Sequence, residues 1–136
     1  MGQQQLLLII LGVIVVGIAV AVGITMFKDN AVSANRDAVT NDLVNLASRA
    51  QQYYRRPTAL GGGEGKFDGL TFKMLTSMPG GKNPNGTFAL ASGNTGQGPV
   101  ILTATGTEIG FDGTSKVKLQ MQVWPDSAKI DPTQTN

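Results

Sequence analysis

The sequence contains neither histidine nor cysteine among its 136 residues. Histidine is the commonest general base and metal ligand, and cysteine supplies thiol nucleophiles, zinc ligands and disulfides. Both absences remove the principal residues of most enzyme classes. We therefore expect a protein that is not an enzyme, with no catalytic residue, no metal site and no cofactor. A small domain without disulfides needs another source of stability, and polymerisation is one such source.

Charged residues are few and scattered along the chain, with 11 Lys and Arg against 9 Asp and Glu. No basic patch of the kind that binds nucleic acid stands out, and no small-molecule site is indicated. Carboxylates beyond Pro57 fall mostly at predicted turns or tails, where solvated charge is their ordinary role. They are Glu64, Asp68, Glu108, Asp112, Asp126 and Asp131. No pair among them suggests catalysis or calcium binding.

A long uncharged run near the N-terminus is the most informative feature that is present. Leu6 to Phe27 covers 22 residues without Asp, Glu, Lys or Arg. A helix of that length, rising about 1.5 Å per residue, would cross the roughly 30 Å hydrocarbon layer of a membrane. The run exceeds the apolar part of a signal peptide, and no small-residue cleavage pattern follows it. We expect residues 1–27 to form a transmembrane or filament-core helix that the mature protein retains.

The orientation of this helix is left open by the sequence. Lys28 and Arg36 follow the run and no basic residue precedes it, which weakly favours a cytoplasmic C-terminus. The remainder of the chain, rich in Gly, Thr and Asn, is instead expected outside the cell. Either a charged leader has been removed, or the free amine and a dedicated export machine set the orientation.

Residues 28–56 keep the helical period and become amphipathic. One apolar stripe recurs every seven residues, with two members between at spacings of four and three: Val32, Val39, Leu46 and Tyr53, with Leu43 and Ala50. Interleaved charges indicate a helix that is half buried and half solvated. Pro57 disfavours helix at Arg56 and ends the run. The whole helix is predicted to cover about 54 residues and about 80 Å.

Residues 57–136 are predicted to form a β-rich globular head. The clearest strand runs from Ser115 to Trp124, where Lys and Gln alternate with four apolar residues, Val117, Leu119, Met121 and Val123. Before it, Thr107 to Phe111 reads as a strand with Ile109 and Phe111 on one face. An Asp112-Gly113 turn joins the two strands.

Two further strands are predicted at Thr87–Ala91 and Val100–Thr105, giving an antiparallel meander of three or four strands. Its apolar face would pack on the stripe of the long helix, which defines an α+β fold. The head core is expected to contain Val39, Leu43, Leu46, Ala50, Tyr53, Val117, Leu119, Met121 and Val123.

Two loop segments of the head carry local signals. Gly61 to Gly65 is a flexible loop by composition. Asn85-Gly86-Thr87 fits a weak glycan acceptor at Asn85, and equally a hairpin turn with Asn-Gly at its centre. The turn is the favoured interpretation.

Taken together, four features resemble the type IV pilin superfamily. They are an uncharged N-terminal helix about twice as long as its head requires, an amphipathic second half, a Gly-rich connecting loop and a C-terminal antiparallel sheet. As a sequence pattern the resemblance covers residues 1–56. Family members usually carry a glutamate at mature position five, where it neutralises the N-terminal amine of a neighbouring subunit.

This chain departs from that pattern at the position of the glutamate. Gln5 occupies the place if Met1 is the mature N-terminus, and Leu7 does if cleavage follows Gly2. A glycine immediately before the mature residue is the family's processing signal, so Gly2 and Gln3 form a candidate processing junction.

The resemblance implies the structural major subunit, or pilin, of an extracellular pilus-like filament. Before assembly the subunit would be inserted in the cytoplasmic membrane, with inner-membrane lipid, a prepilin peptidase and the pilus assembly machinery as partners. Afterwards its partners would be further copies of itself in a helical homopolymer. The filament core would be formed by Leu6, Leu7, Leu8, Ile9, Ile10, Leu11, Val13, Ile14, Val15, Val16, Ile18, Val20, Val22, Ile24 and Phe27. The alternative is a pseudopilin or single-pass envelope protein acting in a secretion complex.

Overall fold

The computed structural model describes residues 2–91 and 96–131. Its elements are α1 (Gly2–Arg55), α2 (Phe72–Leu75), β1 (Lys82–Asn83), β2 (Gly86–Leu90), β3 (Val100–Ile109), β4 (Lys116–Val123) and β5 (Ala128–Ile130), with 3-10 turns at Thr58–Leu60 and Pro79–Gly81. The strands form one antiparallel sheet in chain order. The predicted α+β fold is confirmed. The sheet has five strands rather than the three or four predicted. The sequence did not indicate the two edge strands, because they hold only two and three residues, too few to show alternation.

Helix α1 runs without a break for 54 residues. No proline occurs before Pro57, so nothing removes a donor from its hydrogen-bond ladder. The glycine-rich loop that follows satisfies carbonyls that the end of a helix leaves open. The Gly63 N–H donates to the Tyr53 carbonyl at 2.9 Å. The Gly65 N–H donates to the Tyr54 carbonyl at 2.8 Å.

The second half of α1 lies with its apolar stripe against the sheet. Five of the six stripe residues are buried and Tyr53 is half-buried: the buried ones are Val32, Val39, Leu43, Leu46 and Ala50. The inner face of the sheet contributes Val100, Leu102 and Ala104 from β3 and Val117, Leu119, Met121 and Val123 from β4. The same core also contains five buried residues that the sequence did not assign to it: Ala47, Phe67, Leu70, Leu75 and Phe88. No described residue of α1 before Val32 is buried.

Strand β3 is one ten-residue strand where the sequence predicted two. Its pairing with β4 stays in register from Val100 opposite Val123 to Thr105 opposite Lys118. The next pair is Ile109 opposite Lys116, so β3 accommodates extra residues in a bulge. The expected break between Thr105 and Thr107 is therefore an irregularity within a continuous strand.

Ile109 and Phe111, which the sequence places on one face, are both exposed. Ile109 is 53% exposed and Phe111 is 55% exposed. Ile109 follows the alternation of β3, in which Val100, Leu102 and Ala104 are buried and the odd-numbered positions face outward. Phe111 lies beyond the end of β3, in the turn that leads to β4.

Gly106 lets α1 approach β3 more closely than any other residue would. A Cβ atom at this position would lie 2.1 Å from Oδ1 of Asn35. The side-chain amide of Asn35 donates to the Asn85 carbonyl at 2.9 Å and to Thr107 Oγ1 at 3.1 Å. These directional contacts fix the height of the helix on the sheet.

Asp112 caps the turn between β3 and β4 with its side chain. Its carboxylate accepts hydrogen bonds from the backbone N–H groups of Thr114 and Ser115, both at 3.1 Å, and from the Ser115 hydroxyl. These bonds, that of the Ser115 hydroxyl foremost, favour the charged form and hold the pKa of Asp112 below its ordinary value of 3.8.

The burial of the stripe predicts a large difference between two valines of α1. Val39 is fully buried and Val44 is 47% exposed. Val39→Ala removes two buried methyl groups and leaves a cavity, which should lower the free energy of unfolding by about 1.5 to 3 kcal/mol. Val44→Ala should change it by less than about 0.5 kcal/mol. Denaturant unfolding of residues 28–136, which retain every buried residue, measures both. Equal losses would place Val39 outside the core.

The depressed pKa of Asp112 predicts the acid sensitivity of its turn. A carboxylate of this kind stabilises the folded turn above its unfolded pKa, and the contribution is lost as pH falls through the folded pKa. The turn should therefore stay intact down to pH 3.8 and loosen below it. Amide chemical shifts of Thr114 and Ser115 during an acid titration report the midpoint, and Asp112→Asn should abolish the transition. A midpoint above 3.8 would contradict the assignment.

Candidate assembly surface

The first half of α1 projects from the head as an uncovered apolar rod. Every residue from Gly2 to Asn30 is exposed. The large apolar side chains among them are between 52% and 75% exposed: Leu6, Leu7, Leu8, Ile9, Ile10, Leu11, Val13, Ile14, Val15, Val16, Ile18, Val20, Val22, Ile24, Met26 and Phe27. The predicted filament-core residues thus all lie on one continuous surface.

By length and composition, α1 qualifies as a membrane span. Its most apolar 18-residue window has a mean hydropathy of 3.2, and none of that window is buried. The hydroxyl of Thr25 donates to the Ala21 carbonyl at 3.1 Å, so this polar group is satisfied within the helix. No side chain of the run requires water, and the surface is compatible with lipid or with other apolar helices.

Three glycines of the projecting half face open space. A Cβ atom at Gly12, Gly17 or Gly23 would meet no heavy atom within 4 Å. The helix continues through all three, and their lack of side chains leaves room for the backbone of a neighbouring helix.

The candidate processing junction lies at the start of this helix. Gly2 and Gln3 are helical and exposed. Met1 lies outside the described residues. Neither Gln5 nor Leu7 supplies the carboxylate that the family usually places at mature position five.

At the other end of the projecting half, three apolar side chains surround the point where α1 enters the head. Phe27 from α1 and Ile109 and Phe111 from the β3–β4 hairpin line a groove of about 340 Å³. We call these three residues the basal patch. The guanidinium of Arg36 lies over the Phe111 ring, 5.2 Å from its centroid. Sequence reasoning missed this grouping, and the adjacent Asp112-Gly113 turn was the only signal that the hairpin end is solvated.

A polar cluster fastens α1 to the β1–β2 hairpin. Oδ2 of Asp42 accepts hydrogen bonds from the side-chain amides of Asn83 and Asn85, both at 2.8 Å. The amide nitrogen at which a glycan would be attached to Asn85 is therefore already engaged. Asn83 pairs with Gly86, so Pro84 and Asn85 occupy the turn's centre rather than Asn85 and Gly86.

The carboxylates of the head make local bonds rather than a common site. Glu64 accepts a hydrogen bond from the Thr58 hydroxyl at 2.9 Å, and Asp68 accepts one from the Gly96 N–H at 2.8 Å. Across residues 2–91 and 96–131, no group of three or more Asp or Glu side chains is placed to hold a metal ion.

Comparison of the chain with protein-family models, with curated proteins and with solved structures gives no match. The function is therefore inferred from the geometry of the chain itself and from the resemblance of its architecture.

The polar cluster predicts that two aspartates of α1 differ in importance. Asp42→Ala leaves the Asn83 and Asn85 side-chain amides without their acceptor at a half-buried position, which should cost about 1 to 2 kcal/mol of unfolding free energy. Asp37 is exposed on the same helix, and Asp37→Ala should cost less than about 0.5 kcal/mol. Denaturant unfolding of residues 28–136 compares the two. An Asp42→Ala loss no larger than that of Asp37→Ala would remove the cluster as a determinant of stability.

Proposed function

We propose that this protein is the major structural subunit of an extracellular filament of the type IV pilus class, assembled through its N-terminal helix. One observation carries the proposal. A single unbroken helix has its second half buried in a folded head and its first half, uncharged for 22 residues, wholly uncovered. The head has no use for that first half in its own core.

The exposed apolar side chains of the projecting helix need a partner that removes them from water. More than a dozen large apolar side chains are at least half exposed on the projecting helix. Burying a Val, Leu or Ile side chain stabilises by about 1.5 to 3 kcal/mol, so completing their burial is worth on the order of 20 kcal/mol. Lipid supplies this burial to a single subunit, and other copies of the same helix supply it in a polymer.

A polymer explains features that a simple membrane anchor leaves without a role. The helix is rigid through the point where it leaves the head, with no proline before Pro57 and no glycine between Gly23 and Gly61. An anchor tolerates a flexible stalk, whereas packing many helices together requires each one to leave its head at the same angle. The small residues of the projecting half favour close helix contact.

In this proposal the subunit is first inserted in the cytoplasmic membrane and processed by a prepilin peptidase. An assembly machine then adds it to a homopolymer on the cell surface. The absence of a glutamate at either candidate position five means that neighbouring subunits register through apolar packing rather than through a carboxylate and an N-terminal amine.

The decisive experiment places a charge in the proposed filament core. Val15 lies in the middle of the projecting half and is 57% exposed in the subunit. Val15→Asp should abolish filaments while leaving the head folded, because an isolated ionised side chain costs several kcal/mol when it is buried in an apolar core. Val15→Leu is the matched control and should assemble normally. Negative-stain microscopy measures filament yield, and circular dichroism measures head folding.

Normal filaments from Val15→Asp would refute assembly through this surface. A wild-type protein that stays monodisperse under every condition would favour the alternative, a single-pass envelope protein in a secretion complex.

A further inference from the structure

We propose that the basal patch docks the head onto the surface of the bilayer that holds α1, so that the membrane-inserted subunit is attached at two places. The occupant of the patch is the interfacial layer of the lipid. This inference rests on the membrane-inserted stage of the proposed function and is independent of polymerisation.

The length of the apolar run sets the depth of Phe27 in the bilayer. The run from Leu6 to Phe27 is about 33 Å long as a helix, against about 30 Å for the hydrocarbon layer. Phe27 therefore lies at the boundary between hydrocarbon and headgroups, with Lys28 just beyond it. Since Phe27 shares its groove with Ile109 and Phe111, the end of the β3–β4 hairpin lies at that boundary too.

All three side chains of the basal patch are exposed. Phe27 is 75% exposed, and Ile109 and Phe111 are more than half exposed, although most apolar side chains of β3 and β4 are buried. A clustered apolar surface of this kind on a soluble head marks a contact site. The patch lies beside the end of the span, so it is next to the bilayer surface whenever α1 is inserted.

The residue types of the basal patch suit the membrane–water boundary. Aromatic side chains concentrate at the membrane–water boundary, where a ring meets both apolar and polar surroundings. The guanidinium of Arg36 lies over the Phe111 ring, so this ring has both apolar and charged surroundings. The charges nearby are balanced, with Lys28, Arg36 and Lys116 against Asp29, Glu108 and Asp112. Docking is therefore driven by apolar insertion and does not require anionic lipid.

The chain offers a built-in reference for testing this. Trp124 is its only tryptophan. Its carbonyl accepts a hydrogen bond from the Gln51 side chain at 3.1 Å, and Gln51 lies 24 residues beyond Phe27 on α1, about 36 Å along the helix. The native tryptophan thus reports the end of the head far from the membrane.

The experiment compares the full-length wild-type protein with the double variant Phe111→Trp, Trp124→Phe in vesicles of phosphatidylcholine and of its acyl-chain-brominated form. Bromine quenches tryptophan only at close range. We expect the residue-111 probe to lose most of its fluorescence in brominated vesicles and to emit at shorter wavelength. Trp124 of the wild type should keep its intensity. Addition of anionic lipid should leave both results unchanged.

A third variant, Val15→Trp with Trp124→Phe, reports insertion of the span itself. Quenching at positions 15 and 111 supports docking. Quenching at position 15 alone overturns docking and leaves the membrane-inserted stage intact, whereas quenching at neither position overturns both. A residue-111 probe that shifts to shorter wavelength only in assembled filaments, and is not quenched in vesicles, shows that a second subunit occupies the patch and also overturns the proposal.

Hydrogen exchange gives an independent measure without a new tryptophan. In nanodiscs of phosphatidylcholine, backbone amides of residues 110–115 should exchange more slowly than in the fragment 28–136, which lacks the span. Phe111→Ser should remove most of this protection, and Val44→Ser, at an exposed apolar position away from the patch, should not. Equal exchange rates with and without the membrane would refute docking.

Discussion

The burial of one apolar stripe of α1 against the inner face of the sheet is the interaction on which the rest of the structure depends. From Val32 to Ala50 the helix closes the only extended core in the described chain. Because a helix cannot bend sharply without a proline or a defect in its ladder, fixing its second half also fixes the direction of its first half. The apolar rod is thus presented by the head at a defined angle.

Apolar packing alone would not determine how far α1 lies along the sheet, since the hydrophobic effect has no direction. Polar contacts at three successive positions along α1 set that position. Asn35 meets β3 where Gly106 leaves room for it, Asp42 holds the β1–β2 hairpin, and Gln51 binds the Trp124 carbonyl. Each involves a partner far away in sequence. Together they define one register for a contact that apolar side chains would permit in several.

The sequence predicted the parts of the fold that have a strong period. Seven-residue spacing predicted the buried stripe of α1, and alternation predicted strand β4. Both patterns arise because one face of the element is buried. The edge strands β1 and β5 are too short to carry a pattern. The bulge between Thr105 and Ile109 has no signal in the residue types, so one continuous strand was predicted as two. Asn35 and Asp42 could not have been recognised, since their importance comes from contacts more than 40 residues away. The apolar projecting surface was evident from composition, whereas the basal patch exists only once the hairpin is folded beside Phe27.

Because α1 continues without a break from the head to its free end, a change of its tilt at the head is amplified at the tip. The arm from Val32 to Gly2 is about 45 Å long, so a tilt of about 5° at the head moves the free tip by about 4 Å. Helices pack at interaxial distances of about 8 to 10 Å, and such a displacement is close to half of that spacing. The packing of α1 at Val32 and Asn35 therefore affects where the distant tip lies. Substitutions that change the tilt of α1 at these two residues will displace the far end of the helix.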